Sequence, residues 1–599
     1  LAFSVSSLAS QQTDPAWTNL LYYKNGKSEI DSKNFFLSKV GHKNPQSELD
    51  ANLKAFFESS LESIDDAHPV CQFPARFYHL NKKYNKKQGA KLLNCSKLQD
   101  FYTRIYPNRV SVVFASYYMG NPSSTFGHTF LKLSKKKYSE DQEKDPLLSY
   151  AVNYAADVDT ENGFLYAVKG LFGFFKGTYT LLPYYFKVRE YNDSESRDLW
   201  IYDLNFDEEE MKLLTYHFWE LKKEFSNYYF LSKNCSYFIL KTIEAIKPSA
   251  KLTERLSWHV IPSDTIRALN KDSSLIKKVH YRPSTKSRLD FRVKNLNRKQ
   301  KNKILKTVNQ LDSGKSKSDL KSKEESDAAI ELYDFMYSKK MVQNEDLFLK
   351  KKFPLLINRS QFSEPSSKIS NNLKPPHKMH PSSYFSAGYT YEDDLDKWFN
   401  ISSRTAFHSL IEPSDGVMPD GEISLLNWQL GLRQRDNRYT LKLHNADWIK
   451  VVNLAPVKFY QPPVSWKMHL GSHRRLNGKE RLEHFIKFSG GLSLALKNNS
   501  RVYLMSLTRP LYTKEFDDKF LYDLGLEAGI KWQWTKQIHS HLQLEYFARN
   551  SIDQSFDLNN DLYRGLFESQ WTLNGYAFKA TFKNHNKQYS SEVGFVSYF

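Results

Sequence analysis

A chain of 599 residues is too long for one core and predicts two or three folded units. Its 40% hydrophobic and 25% charged content excludes broad disorder, and the lack of any run of about 18 apolar residues excludes a predicted transmembrane helix. The net charge of +20 suits an anionic membrane surface or lipopolysaccharide as well as plain solubility. No nucleic-acid-binding motif accompanies it, so nucleic acid is not an expected partner.

Leu1–Ser10 (LAFSVSSLAS) is apolar and rich in small residues. It reads as the end of a secretory signal, with a small-x-small site near Leu8–Ser10. Residues 11–70 form a helical lead-in, with apolar residues at helical spacing in Leu53–Leu61. There are three cysteines. In an exported chain Cys71 and Cys95 can close a short disulfide loop, which leaves Cys235 as the thiol to inspect. Residues 71–275 read as one domain. Val110–Tyr118, His128–Leu133 and Ser149–Tyr154 are its predicted strands, with a turn at Gly120–Ser124. Asp207–Phe225 and Asn234–Ile246 are predicted helices. Residues 276–380 read as a basic, Pro/Ser-rich linker. Within it 293–323 is a solvated linker or exposed helix, Ala328–Leu349 one helix, and Pro354–Pro381 a boundary.

From residue 381 to 599 the pattern alternates. Ile486, Phe488, Leu492 and Leu494 share one face of a strand, as do Tyr522, Leu524, Leu526, Ile530 and Trp532 of another. The opposite face of the latter carries Asp523, Glu527 and Lys531. Tyr576, Phe578 and Phe582 alternate with Lys579 and Lys583, and Asn574-Gly575 is a hairpin turn. About twelve segments of about ten residues suit tilted membrane strands. Trp532, Trp534 and Trp571 fall near strand ends, as interfacial girdles do. Val593, Phe595 and Phe599 resemble the terminal strand of outer-membrane barrels. A soluble β-sandwich is the alternative; the bulky apolar faces and charged opposite faces favour an all-β transmembrane barrel of about 12 antiparallel strands.

The chemistry centres on His128 (NPSSTFGHTFLKL) and Cys235 (YYFLSKNCSYFIL). Cys235 opens a predicted helix with Asn234 as its N-cap, where free amide N–H groups and the helix dipole favour thiolate. On the residues alone, a buried core cysteine and a satisfied core histidine are the commoner readings. These two motifs, together with LLSYAVNYAADV and the stretch from KGLFGFFKGTYTLL to WIYDL, resemble the Lnb-type periplasmic domain family over roughly residues 70–270. The resemblance implies an α+β papain-like (circularly permuted) fold. It implies Cys235 as nucleophile, His128 as general base and Asn153, in preference to Asp157, as the group that orients the imidazole. Ser123, Ser124 and Gly127 then shape the turn that carries His128. Gly170–Gly177 (GLFGFFKG) reads as packing, or as a lid or acyl groove lined by Phe172, Phe174, Phe175 and Tyr179. Arg189, Glu190, Arg197 and Asp198 read as a solvated or salt-bridged network.

The family's namesake, a lipoprotein N-acyltransferase, is described with transmembrane helices after this domain; here a barrel follows. The expected protein is therefore an outer-membrane one with its N-terminal domain in the periplasm. It is expected to act as a thiol acyltransferase or hydrolase on membrane lipids or lipoproteins. The alternatives are a peptidoglycan amidase or peptidase of NlpC/P60 type and a non-catalytic barrel-anchored binding module, with a porin-like role weaker still. No cofactor is implied. No HExxH or CxxC occurs, so no metal site is predicted.

Overall fold

The computed structural model describes residues 14–58, 64–119, 125–135, 149–314, 318–369, 373–392, 397–435, 438–461, 464–474, 482–514, 520–551 and 561–599. The expected signal segment Leu1–Ser10 and the turn residues Ser123 and Ser124 lie outside them. Two compact units divide the chain, Leu1–Arg288 and Leu289–Phe599.

The first unit is α+β. Besides a short two-stranded pair, Tyr23–Lys24 with Lys27–Ser28, it has seven strands: β1 (Arg109–Ala115), β2 (His128–Ser134), β3 (Ser149–Asp157), β4 (Phe175–Pro183), β5 (Leu199–Leu204), β6 (Phe225–Tyr228) and β7 (Ile276–Arg282). They form one antiparallel sheet in the order β6-β4-β3-β2-β1-β5-β7. The sheet is covered on both faces. Val112 and Phe114 enter the main core, whereas Val113 and Ala115 enter a smaller one with Phe130 and Tyr184. That double burial explains the unbroken apolar run in β1.

The lead-in is part of this core rather than a preface to it. Trp17, Leu20 and Tyr22 are buried. The Tyr22 hydroxyl lies 2.9 Å from that of Thr242, on the helix that begins at Cys235. Cys71 and Cys95 are disulfide-bonded, with Cα atoms 5.4 Å apart. Closing a 24-residue separation stabilises the fold by about 3 kcal/mol in the chain-entropy model.

The region 276–380 departs from the linker reading. It supplies the seventh strand of the sheet and then four helices: Thr285–Val293, Arg298–Asp312, Lys323–Gln343 and Glu345–Ser360. From Leu289 onward they bury Ile304, Val308, Leu311, Leu332, Tyr333 and Leu355 in a core of their own. The helix expected over Ala328–Leu349 is two, broken at Asn344, whose side chain caps the second by accepting from the Leu347 N–H. Pro354 lies inside that second helix, so the expected boundary begins later.

Twelve antiparallel strands close into a barrel: β8 (Tyr384–Glu392), β9 (Lys397–His408), β10 (Gly421–Arg435), β11 (Arg438–Asn453), β12 (Ser465–Arg474), β13 (Leu482–Ala495), β14 (Arg501–Tyr512), β15 (Phe520–Gln533), β16 (Ile538–Ser551), β17 (Asp561–Leu573), β18 (Tyr576–His585) and β19 (Gln588–Tyr598). β8 pairs with β19 to seal it, Tyr384 opposite Tyr598. The predicted faces hold. Ile486, Phe488, Leu492, Leu524, Leu526, Phe578 and Phe595 point outward, while Glu483, Lys487, Asp523, Glu527 and Lys531 are buried in the lumen. Asn574 and Gly575 both have positive φ, as the tight turn between β17 and β18 requires. A closed barrel with an apolar exterior and charged interior satisfies every backbone group in lipid, which an open sheet cannot do. The chain is thus built as an outer-membrane protein.

Candidate active site

Asn234 begins the site. Its side-chain oxygen accepts from the N–H groups of Ser236 and Tyr237, at 3.1 and 3.3 Å. Its amide nitrogen donates to the carbonyls of Phe230 and Val260, at 3.0 and 2.7 Å. All four contacts fix the loop that presents Cys235 as the first residue of the helix Cys235–Ile246. This helix packs on β2 and β3, the strands that carry His128 and Asn153.

His128 opens β2. The residue before it, Gly127, has φ +90°, and a Cβ there would lie 2.7 Å from the Phe114 ring. Only glycine fits. The His128 Nε2 lies 2.6 Å from Asn153 Oδ1, so Nε2–H donates to the amide oxygen. That bond leaves Nδ1 for the thiol, and the His128 side chain acts on Cys235 to favour the thiolate.

Cys235 is only 4% exposed. Burial alone would push its thiol up. The charge and hydrogen bond of His128, then the Thr129 N–H and the Ser236 hydroxyl, outweigh burial and bring it down to about 6. At neutral pH the sulfur is therefore mainly thiolate. The structure thus brings Cys235, His128, Asn153, Asn234 and Gly127 together.

Two further groups were not read from the sequence as part of the site. Tyr228, at the end of β6, accepts the Cys235 N–H on its hydroxyl at 3.2 Å. Burial, then the charge of Cys235, holds its phenol well above the usual value, so it stays protonated. Its only mark in the sequence is its position seven residues before the cysteine. Arg197 was expected in a solvated or salt-bridged network. It is salt-bridged to Glu195 at 2.9 Å but fully buried, donates to the carbonyls of Ala115 and Ser116 at 2.9 and 2.6 Å, and lies over the Tyr191 ring. Tyr191 in turn packs on His128, with ring centroids 5.6 Å apart.

The Gly170–Gly177 stretch is not one groove. Phe175 and Tyr179 are buried in the core, whereas Phe172 and Phe174 are 65% and 68% exposed. Leu171 is exposed beside them. The stretch abuts the loop that presents Cys235 directly: the Phe230 N–H donates to the Gly170 carbonyl at 2.9 Å. A Cβ on Gly170 would overlap the Phe230 ring.

A buried thiolate–imidazole–amide constellation on an α+β unit, followed by a membrane barrel, defines an outer-membrane protein that carries a periplasmic domain. Residues 97–272 match the Lnb N-terminal periplasmic domain, which bears out the resemblance. Residues 373–597 and 9–83 match two domains of unknown function, DUF7840 and DUF7843. No curated protein matches the chain. Among solved structures it is similar to a KdgM porin, at 11% identity over 36% of this chain and 99% of that one, with a TM-score of 0.22. It is similar to LpxR from Salmonella typhimurium at 7% identity over 36% and 100%, with a TM-score of 0.22. It is similar to the outer-membrane expressed OmpT of Vibrio cholerae at 6% identity over 36% and 97%, with a TM-score of 0.19. Likenesses this slight say nothing about activity.

Proposed function

We propose that the first unit is a thiol acyltransferase or hydrolase of permuted papain-like arrangement, acting on acyl groups of membrane lipids or lipoproteins. The contact of the Cys235 thiol with an imidazole held by Asn153 carries this reading. The thiolate attacks the acyl carbonyl carbon, a C–S bond forms, and the carbonyl electron pair moves to oxygen. Nδ1–H of His128 gives its proton to the departing oxygen or nitrogen as that bond breaks. His128 then takes a proton from water or an acceptor amine, which attacks the thioester and releases the thiolate. Tyr228 is placed to donate to the oxyanion. The Cys235 N–H, the usual donor at such a helix start, is spent on the Tyr228 hydroxyl and polarises it.

The exposed Leu171, Phe172 and Phe174 beside the nucleophile loop favour a lipid substrate over a muropeptide. The test is labelling of outer-membrane fractions with a lipid-like acyl probe. Labelling is expected to vanish in Cys235→Ala and to slow by about 10²–10⁴-fold in His128→Ala. Equal labelling of all three proteins, or none of the wild type alongside full reaction with a small thiol reagent, would sink the lipid-acyl reading.

A further inference from the structure

In the barrel unit, three side chains from separate segments meet. His380 precedes β8, His408 ends β9, and Glu412 lies in the loop behind it. His380 Nε2 is 3.0 Å from His408 Nδ1. Glu412 Oε2 is 3.4 Å from the first nitrogen and 3.5 Å from the second. Tetrahedral Zn²⁺ with bonds of about 2.0–2.1 Å holds its ligand atoms about 3.3–3.4 Å apart. The three atoms thus already stand at nearly the edges of one face of that tetrahedron. No motif announced this, because the two histidines are 28 residues apart; the antiparallel pairing of β8 with β9, which sets Tyr384 opposite Arg404, brings them together.

We infer that His380, His408 and Glu412 form a binding site for a first-row divalent cation, Zn²⁺ foremost. The surrounding contacts are those a ligand set needs. His380 Nδ1–H donates to the Pro381 carbonyl at 2.7 Å, so its Nε2 accepts the His408 Nδ1–H at 3.0 Å, a proton that a bound ion would replace. Glu412 is oriented by Arg404 at 2.9 and 3.0 Å, by the Ser409 N–H at 2.7 Å and by the Tyr598 hydroxyl at 2.9 Å. A lumen cavity of about 210 Å³ reaches Arg404, Ser409, Leu410, Ile411 and Glu412, on the carboxylate side of the cluster. Because Arg404 offsets the one carboxylate, the site offers imidazole nitrogen rather than negative charge. That disfavours Ca²⁺ and Mg²⁺, which depend on several oxygen ligands, and favours Zn²⁺, Co²⁺ and Ni²⁺. The ion would clip the segment entering the barrel to the end of β9, with Tyr598 of β19 behind Glu412.

The test uses the full chain folded in detergent, stripped with chelator and titrated with Co²⁺ alone and then with Zn²⁺. One equivalent of Co²⁺ is expected to raise the visible absorption of a four-coordinate site, and Zn²⁺ to abolish it. His408→Gln and Glu412→Gln should each weaken binding at least tenfold, as should His380→Gln. Tyr598→Phe should weaken it by about tenfold, the lower end for loss of an outer-shell partner. Cys235→Ser should bind as wild type does. A wild type without the bands, bands that survive in His408→Gln, or bands lost in Cys235→Ser would each overturn the assignment. Gel mobility before and after heating confirms that each variant holds a folded barrel, and with three ligands to vary, one misfolded variant leaves two others to decide.

Discussion

At the scale of single residues the site makes a prediction that needs no substrate. With its thiol brought down to about 6, Cys235 is protonated below that pH and ionised above it. Alkylation by a small reagent should therefore rise with pH around a midpoint near 6, not near the ordinary thiol value of about 8.5. In His128→Ala, burial remains while the charge that opposes it is lost, so the midpoint should move above 8.5. A wild-type midpoint at or above 8.5 would show that His128 and Cys235 are not coupled. Tyr228→Phe separates two roles that look alike in a static picture. Alkylation has no oxyanion, so its rate should stay within a few-fold of wild type. Acylation by the lipid-like probe should fall by about 10²–10³-fold, the usual cost of one lost oxyanion donor. An equal fall in both rates would make Tyr228 a support for the thiol and nothing more. Cys235, His128 and Asn153 were legible because their motifs carry them. Tyr228 is one of 37 tyrosines and Arg197 one of many charged residues, and only folding shows which polar atom each one meets.

Elements were legible where periodicity and burial agree. The outward faces of β13 and β15 follow from alternation alone, since one face meets lipid and the other a charged lumen. The four helices after β7 were harder to read, because lysines on their outer faces give the composition of a linker. Their inner faces carry the signal: Ile304, Thr307, Val308 and Leu311 recur at helical spacing and are all buried. The Gly170–Gly177 stretch misled in the other direction, since a run of phenylalanines does not say which will point inward. With Phe172 and Phe174 in solvent beside the loop that presents Cys235, Phe172→Ser with Phe174→Ser should slow acylation by a membrane-borne probe at least tenfold. Alkylation by a soluble reagent should be unchanged, because neither ring touches the core. If both rates are unchanged, the exposed rings do not deliver substrate.

At the scale of the whole molecule, the question is whether the barrel is an anchor or a conduit. Twelve strands leave a lumen that side chains can fill. Here they do so with charge. Glu527 is held between Lys467 and Lys487, and Lys487 also meets Glu545. Arg509 reaches Asp523 at 2.7 Å, and Arg549 joins Asp523 to Glu483 at 2.8 and 2.7 Å. Arg564 reaches Glu483 as well, at 2.8 Å. The pairs cross the interior from strand to strand and leave two lumen cavities of about 240 and 210 Å³, room for small molecules. Each charge is costly to bury alone, and removing one partner from such a pair costs about 3–5 kcal/mol, so the network resists being pulled apart by a passing solute. Reconstituted in planar bilayers, the full chain should show no steady porin-scale conductance. Replacing Lys467 and Lys487 together by alanine strands Glu527 and should both lower the temperature of barrel unfolding and introduce current. Steady conductance in the wild type would identify the barrel as a transport path. Its absence, with current appearing only in the variant, is what a lumen built to close and to hold a periplasmic domain at the membrane requires.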